Sequence, residues 1–243
     1  MGFAVVAPLV AIALAFHSPA EALLLLFLSH MLILYPTLRP RSAWWGPVVT
    51  RFRTSRQEVW LTIDDGPTDD TAEIVRLLTA CGAVATFFVK GRLAAEQPEL
   101  IALITRAGNM VANHSATHPS GTFWCLGPAG LAKEIDDGNE AIVRSGGQSP
   151  HWFRAPVGMK NPWVHPLLDA RGMRLIAWSR RAFDSVRSDP EKIARSLTRG
   201  VNAGDILLVH QGRPTSVAAI RAVLAALEHA GLRPVVPDDG SLT

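Results

Sequence analysis

Apolar residues fall into two regimes along this chain, two dense runs at the start and then many short clusters of strand or helix spacing. Phe3–Phe16 is one run, broken by Pro8, and Ala22–Tyr35 is a second containing Ser29 and His30, with His17-Ser18-Pro19-Ala20-Glu21 between them. Each is 14 residues, short of the roughly 20 that span a bilayer as one helix. Residues 1–36 therefore read as a hydrophobic anchor: a helical hairpin, one long imperfect span or an interfacial segment. A secretory signal peptide fits less well, because no Lys or Arg precedes the first run and no small-residue cleavage site closes it.

Beyond a Pro-, Arg- and Trp-rich linker at 37–56, the period of the pattern switches repeatedly between 2 and 3.6. Strands are expected at Val59–Ile63, Ala85–Val89, Met110–Asn113, His151–Phe153, Arg174–Trp178, Ile206–Val209 and Leu232–Val236. Helices are expected at Asp70–Cys81 and Gln97–Ala107, then, after a loop that runs through Leu126, to about Arg144, and at Trp163–Ala170, Pro190–Arg199 and Val217–His229. Regular β/α alternation implies parallel pairing with helices outside. About seven units over 57–243 fit a small, distorted (β/α) barrel better than a full eight-unit one. An open doubly wound sheet is the alternative.

Charge changes the picture at one place. The chain has 24 basic and 21 acidic residues, yet from Val59 onward the two balance at 19 each. The basic excess is Arg39, Arg41, Arg51, Arg53 and Arg56, directly after the second apolar run. A neutral domain lacks the basic face that nucleic acid requires. A basic collar beside an apolar segment suits anionic lipid headgroups, and by the positive-inside rule it places the following domain on the cytoplasmic face of the membrane. Cys81 and Cys125 have neither metal spacing nor the numbers for a disulfide framework, and no role is assigned to them.

The candidate chemistry sits at strand ends. Asp64-Asp65 ends the first strand before Gly66-Pro67, and two adjacent carboxylates repel unless a cation or a proton-transfer task holds them. His114 and His118 follow the third strand, and a spacing of four puts both imidazoles on one side of a helical turn, as chelation requires. Phe153-Arg154-Ala155-Pro156-Val157-Gly158 ends the fourth strand, Asp184 follows the next, and His210 ends Leu207–Val209. In a β/α barrel these ends line one mouth. One carboxylate and two imidazoles make an open three-ligand site, where a divalent cation acidifies water and polarises a carbonyl. A second carboxylate can serve as base, a histidine across the pocket as acid, and an arginine can hold the base ionised. The same trio suits Fe(II) oxygen chemistry, but that leaves the second Asp and His210 without a task.

The ordered set Ile63-Asp64-Asp65-Gly66-Pro67, His114-Ser115-Ala116-Thr117-His118, Arg154-Ala155-Pro156-Val157-Gly158 and Leu207-Leu208-Val209-His210 resembles the polysaccharide deacetylase family, also called NodB-homology or carbohydrate esterase family 4, over roughly Val59 to Val236. The resemblance implies a distorted (β/α) barrel that removes N-acetyl, sometimes O-acetyl, groups from sugars with zinc or a similar divalent ion. It implies Asp64 as general base, with Asp65, His114 and His118 as metal ligands. Arg154 orients the base, His210 is the general acid, and Asp184 is its orienting partner. Pro156 of the third motif, with Phe123 and Trp124 of the loop 119–126, are the candidates for sugar contact. Trp152, Trp163 and Trp178 read as core, and His151, His165 and His229 have no task. Three departures stand out: Ile63 where the family carries an aromatic residue, Ser185 where a Trp follows the fourth-motif Asp, and Gln211 where an acidic residue is frequent. The missing Trp removes an expected aromatic wall. The implied function is a metal-dependent hydrolase of the bacterial cell envelope, acting on an N-acetylated sugar of a glycan or lipid-linked saccharide. Deformylation of an amino sugar, another amide hydrolysis, or an inactive membrane-tethered sugar-binding protein are the alternatives.

Overall fold

The computed structural model of the chain describes residues 2–243. Helices α1 (Gly2–Ala15) and α2 (Pro19–Leu38) pack on one another as a hairpin, the first of the three arrangements open to the apolar runs. The turn between them closes when the N–H groups of His17 and Ser18 donate to Leu14 O at 2.9 and 2.7 Å. Small side chains let the helices approach, since Ala11 and Ala22 are buried while Phe16, Leu23, Leu24 and Phe27 are exposed. Among the described residues α2, at 20 residues, is the one helix long and apolar enough to cross a membrane.

The remaining elements are, in chain order, β1 (Glu58–Gly66), α3 (Thr71–Ala80), β2 (Thr86–Val89), α4 (Gly91–Glu96), α5 (Pro98–Arg106), β3 (Met110–Asn113), α6 (Pro128–Arg144), β4 (Trp152–Phe153), α7 (Val164–Asp169), β5 (Arg174–Leu175), β6 (Arg180–Arg181), α8 (Pro190–Thr198), β7 (Ile206–His210), α9 (Ser216–His229) and β8 (Arg233–Pro234). The strands run parallel in the order β5-β4-β3-β2-β1-β7-β6, with β8 beside the start of β1. Both faces are buried, as a parallel sheet under a helical layer requires. Leu61, Ile63, Phe87, Leu207 and Val209 pack outward with residues of α3, α5, α8 and α9. Trp60, Phe88, Ile206 and Leu208 point inward with Trp152 and Trp178. Inside, Trp60 stacks edge-on against Trp152 at 4.7 Å and its Nε1 donates to Thr86 Oγ1 at 2.8 Å.

The curled sheet closes through one stretch, 174–181. The expected strand Arg174–Trp178 is cut short: only Arg174 and Leu175 pair with Trp152 and Phe153 at one edge, while Arg180 and Arg181, beyond its expected end, pair with Leu207 and Leu208 at the other. Segment 47–53, expected to belong to the linker, is built into this closure. Val49 N donates to Leu175 O at 2.9 Å and Val49 O accepts from Ala177 N at 2.8 Å, with Val49 and Phe52 buried and Arg51 Nη1 2.5 Å from Asp205 Oδ1. Its buried apolar side chains, Val49 and Phe52, are too few for a sequence pattern but enough to cover the open seam.

The upstream end of that segment is fastened as well. Lys160 is fully buried, and its Nζ donates to Arg39 O at 2.9 Å and Pro40 O at 3.1 Å. Burial pushes its amine down to about 8. Gly158, at φ +75°, is where Pro40 packs, and a Cβ there would come within 2.7 Å of the Pro40 ring. The end of α2 is thereby seated against the turn 156–158, at the mouth of the barrel. Lys160→Met leaves both carbonyls without a donor, at about 1–3 kcal/mol each if they stay buried. Its expected effect is faster tryptic cleavage after Arg41 than in the wild type, and equal cleavage rates would show that Lys160 does not hold this segment.

Candidate active site

Adjacent strand residues point to opposite faces, so Asp64 and Asp65 would not share a cavity in an unbroken β1. The strand runs through the pair rather than ending before it, and it is bulged there. Asp64 pairs with Phe88 and Gly66 with the next residue, Val89, so Asp65 is the extra one. Asp65 has φ +77°, a left-handed conformation that Asp tolerates better than most residues. The inserted residue resets the alternation, and both carboxylates line one cavity of about 270 Å³. Asp64 also pairs across β7 with His210, which lines the same cavity.

His114 and His118 lie on an irregular loop, not on a helical turn. Ser115 at φ +68° and His118 at φ +56° bend the chain so that the two rings sit 4.7 Å apart. The loop is shaped by buried Asn113, whose Oδ1 accepts from Ser115 N at 2.6 Å and whose Nδ2 donates to Ile135 O and Asn139 Oδ1 at 2.8 and 2.7 Å. Glu134 accepts from Thr117 N and Oγ1 at 2.9 and 2.7 Å. His114 Nδ1 lies 2.8 Å from Arg154 O. A carbonyl only accepts, so Nδ1 carries the proton and the Nε2 lone pair is free.

Arg154 is 1% exposed and meets the cavity through Asp64. Its Nη1 donates to Asp64 Oδ1 at 2.6 Å and Thr62 Oγ1 at 2.8 Å, Nη2 to Ala177 O at 2.9 Å, and Nε to Ile176 O at 3.2 Å. Its guanidinium lies over the Phe88 ring at 4.0 Å. Burial lowers the Arg154 pKa, with the Asp64 charge opposing. Opposite, Asp184 accepts from His210 N at 2.6 Å and from His210 Nδ1 at 2.9 Å. That fixes the tautomer and leaves His210 Nε2 for the cavity. Burial lowers the His210 pKa, but the Asp184 hydrogen bond and the Asp64, Asp184 and Asp65 charges outweigh it, and the net shift is upward.

Asp65 Oδ1 is 4.0 Å from His114 Nε2 and 3.6 Å from His118 Nε2. Lys90 Nζ lies 2.8 Å from the same oxygen. Donors held at about 2.1 Å by a tetrahedral ion lie about 3.4 Å apart, and the three ligand atoms, all within 4.8 Å of one another, need shifts of up to about an ångström to close on a cation. Burial alone would raise the Asp65 pKa, but His114, Lys90 and His118 outweigh it and hold it at about 2. Burial lowers His114, and burial followed by the His114 charge takes His118 to about 4. At neutral pH the site therefore offers one carboxylate and two neutral imidazoles, the form in which these groups bind a divalent metal.

Some expected contacts are corrected. Phe123 is fully buried and stacks on Phe153 at 5.9 Å, so it serves the core rather than a sugar. Trp124 and Pro156 do not line the cavity; Val157 and Gly158 do. Trp178, expected in the core, is buried there and also forms a cavity wall, which supplies the aromatic surface that Ser185 lacks. Arg181 joins it, and neither is a site residue by the sequence reading, although Trp178 ends an expected strand like the other site residues. Ile63 faces the outer core. Gln211 Oε1 accepts from Thr71 Oγ1 at 2.6 Å and Gln211 N donates to Asp64 O at 3.1 Å, tying the end of β7 to the start of α3.

Removing one partner of a buried ion pair costs about 3–5 kcal/mol. Arg154→Met is expected to destabilise the protein by about that much in urea unfolding, and adding Asp64→Leu is expected to recover most of it. No recovery in the double variant would mean that packing, not the stranded charge, sets the loss.

The family model of polysaccharide deacetylase matches residues 52–176. A chitooligosaccharide deacetylase of Bradyrhizobium sp. (strain ANU 289) is 34% identical over 160 residues, 65% of this chain and 72% of that protein. A peptidoglycan-N-acetylglucosamine deacetylase of Bacillus cereus is 30% identical over 193 residues, 75% of this chain and 70% of that protein. Among solved structures, the family 4 carbohydrate esterase from Streptomyces lividans in complex with acetate superposes with a TM-score of 0.71 at 31% identity, covering 77% of this chain and 96% of that one. With the Asp-His-His site in place on the same barrel, this chain belongs to the polysaccharide deacetylase family, hydrolases of non-peptide carbon–nitrogen bonds.

Proposed function

We propose that this protein hydrolyses the N-acetyl group of an amino sugar in a glycan or lipid-linked saccharide, with residues 1–36 as its membrane anchor. The observation that carries this reading is the cavity of about 270 Å³ on which Asp64, Asp65, His114, His118 and His210 converge. Relatives named for chitooligosaccharide and peptidoglycan N-acetylglucosamine support an acetylated glucosamine as the reacting unit. Asp65, His114 and His118 would hold the divalent metal, zinc being the ion best matched by one carboxylate and two imidazoles. When bound, that ion supplies a Lewis acid for the acetyl carbonyl and acidifies an attacking water.

Asp64 takes the proton of that water as its oxygen adds to the acyl carbon. Arg154 holds Asp64 in place, because its other donors are spent on fixed carbonyls and on Thr62. His210 Nε2 gives its proton to the departing nitrogen, so that the C–N bond breaks to acetate and a free amine. Trp178 offers the sugar an aromatic wall. Arg39 and Arg41, at the end of α2, favour the cytoplasmic face for the catalytic unit, where mature peptidoglycan is out of reach. At 14 residues, α1 is too short to span alone.

Acetate release by the zinc-loaded full chain from N-acetylglucosamine oligosaccharides tests the reaction. Asp64→Asn is expected to lower kcat by about 10²–10⁴, and His114→Ala or a chelator to abolish turnover; equal rates in wild type and variants would sink the reading. The raised His210 pKa predicts that kcat/KM falls as pH rises through a value above 6.5, where the acid loses its proton. Asp184→Asn removes a charge that stabilises the imidazolium, so this alkaline limb is expected to move to lower pH. A limb that stays in place would assign it to another group.

A further inference from the structure

Three cavities lie end to end between the catalytic site and the anchor, each sharing residues with the next. The catalytic cavity includes Trp178 and Arg181, and the same two residues line a second cavity of about 560 Å³ with Tyr35, Arg39, Pro40 and Arg41. Tyr35 then leads into a third, about 460 Å³, walled by Leu28, Met31, Leu32 and Trp44. The chemistry is graded along this path. It passes from carboxylates and imidazoles, through three guanidinium groups, to an apolar groove on α2, a helix long and apolar enough for a membrane.

The three arginines have no acidic partner among the described residues. Arg39 lies 5.0 Å over the Tyr35 ring, and Arg181 sits between Trp178 and Phe183 at 5.6 and 4.2 Å. Arg181 Nε is buried with no hydrogen-bond partner. A buried donor without an acceptor is costly, and planar guanidinium groups that converge without a carboxylate match a phosphate oxyanion. The second cavity is also held to a shape: Lys160 fixes the carbonyls of Arg39 and Pro40, and Pro40 packs on Gly158, itself a wall of the catalytic cavity. A bilayer headgroup satisfies Arg39 and Arg41 at the membrane surface, but Arg181 is a wall of the catalytic cavity itself, where a substrate group reaches it.

We propose that this path is the binding cleft for an amphiphilic substrate in which the N-acetylated sugar is joined through a phosphoester to a long hydrocarbon chain. The sugar occupies the catalytic cavity, the phosphate lies among Arg39, Arg41 and Arg181, and the first part of the hydrocarbon lies along α2 beside Leu28, Met31 and Leu32. The proposal rests on the deacetylase reading for the identity of the sugar but not for the phosphate and hydrocarbon subsites.

The test compares three N-acetylglucosamine compounds on the zinc-loaded full chain in neutral detergent micelles: a polyprenyl phosphate ester, a polyprenyl glycoside without phosphate, and the sugar phosphate without a chain. The expected result is a kcat/KM for the first that exceeds each of the others by about tenfold or more, the loss of one charge-assisted contact or more. In Arg39→Gln/Arg41→Gln the ratio of phosphate ester to neutral glycoside is expected to fall toward one. A parallel titration of tryptophan fluorescence with farnesyl phosphate and farnesol reads the subsite without turnover, and the phosphate is expected to bind more tightly in wild type but not in the double variant. Equal kcat/KM with and without phosphate, together with equal binding of the two probes, overturns the proposal while leaving deacetylation standing. A preference erased by phosphatidylglycerol in the micelles assigns the arginines to bilayer headgroups and also overturns it. Acetate from none of the compounds, with selective farnesyl phosphate binding intact, retires the deacetylase reading and keeps the cleft.

Discussion

The single extra residue in β1 is the constraint on which the rest of the site depends. Without the bulge at Asp65, pleat alternation would send one of the two carboxylates into the outer core between β1 and the helices. With it, both enter the cavity, at the cost of a left-handed backbone at Asp65, of order 1 kcal/mol or more. The bulge then generates further demands. Asp64 is 2% exposed and needs a buried cation, which is Arg154. Arg154 needs acceptors for its remaining donors, and it finds them at Ile176 O and Ala177 O. Those carbonyls belong to the stretch 174–181 that joins the two edges of the sheet. Closure of the barrel and orientation of the candidate base are thus the same set of hydrogen bonds.

This coupling explains which parts of the architecture were legible in the sequence. The long strands and helices were, because each carries enough alternation or 3.6-residue spacing to show a period: β1, β2, β3 and β7, and α3, α5, α6, α8 and α9 fall within a few residues of expectation. The cluster at the strand ends was legible for the same reason, since locating a strand locates its C-terminal residue. What could not be read depends on contacts far apart in sequence. A bulge is a register event between two strands, and nothing in Asp64-Asp65-Gly66 records it. The loop carrying His114 and His118 takes its shape from Asn113 and Glu134, so a spacing of four suggested a helical turn that the chain does not form. Trp178 is at once core and cavity wall, and hydrophobicity alone reports only the first. The early end of the expected strand after Leu175, with β6 resuming at Arg180, reflects where the sheet must close, which no local pattern encodes.

The arginine-rich collar divides in a way that its composition conceals. Arg51 pairs with Asp205, 2% exposed at its side chain, and belongs to the seam at the N-terminal ends of the strands. Arg53 donates to Gly240 O at 3.3 Å in the same region. Arg39 and Arg41 instead lie at the opposite end, beside the mouth of the barrel. Segment 39–53 therefore runs the height of the barrel along its closing edge, and one block of like charge serves stability at one end and faces the cavities at the other.

The attachment of Lys160 to the carbonyls of Arg39 and Pro40 fastens the end of α2 directly to the barrel. For a protein held in a bilayer by α2, the opening of the cavity then keeps a fixed height and heading relative to the membrane plane. Such an enzyme acts as a depth gauge. In that arrangement a sugar would be accepted or refused first by how far from the lipid surface its acetyl group stands. Reach, not recognition alone, becomes a determinant of selectivity, and lengthening the chain between Leu38 and Lys160's partners would move the enzyme's working plane.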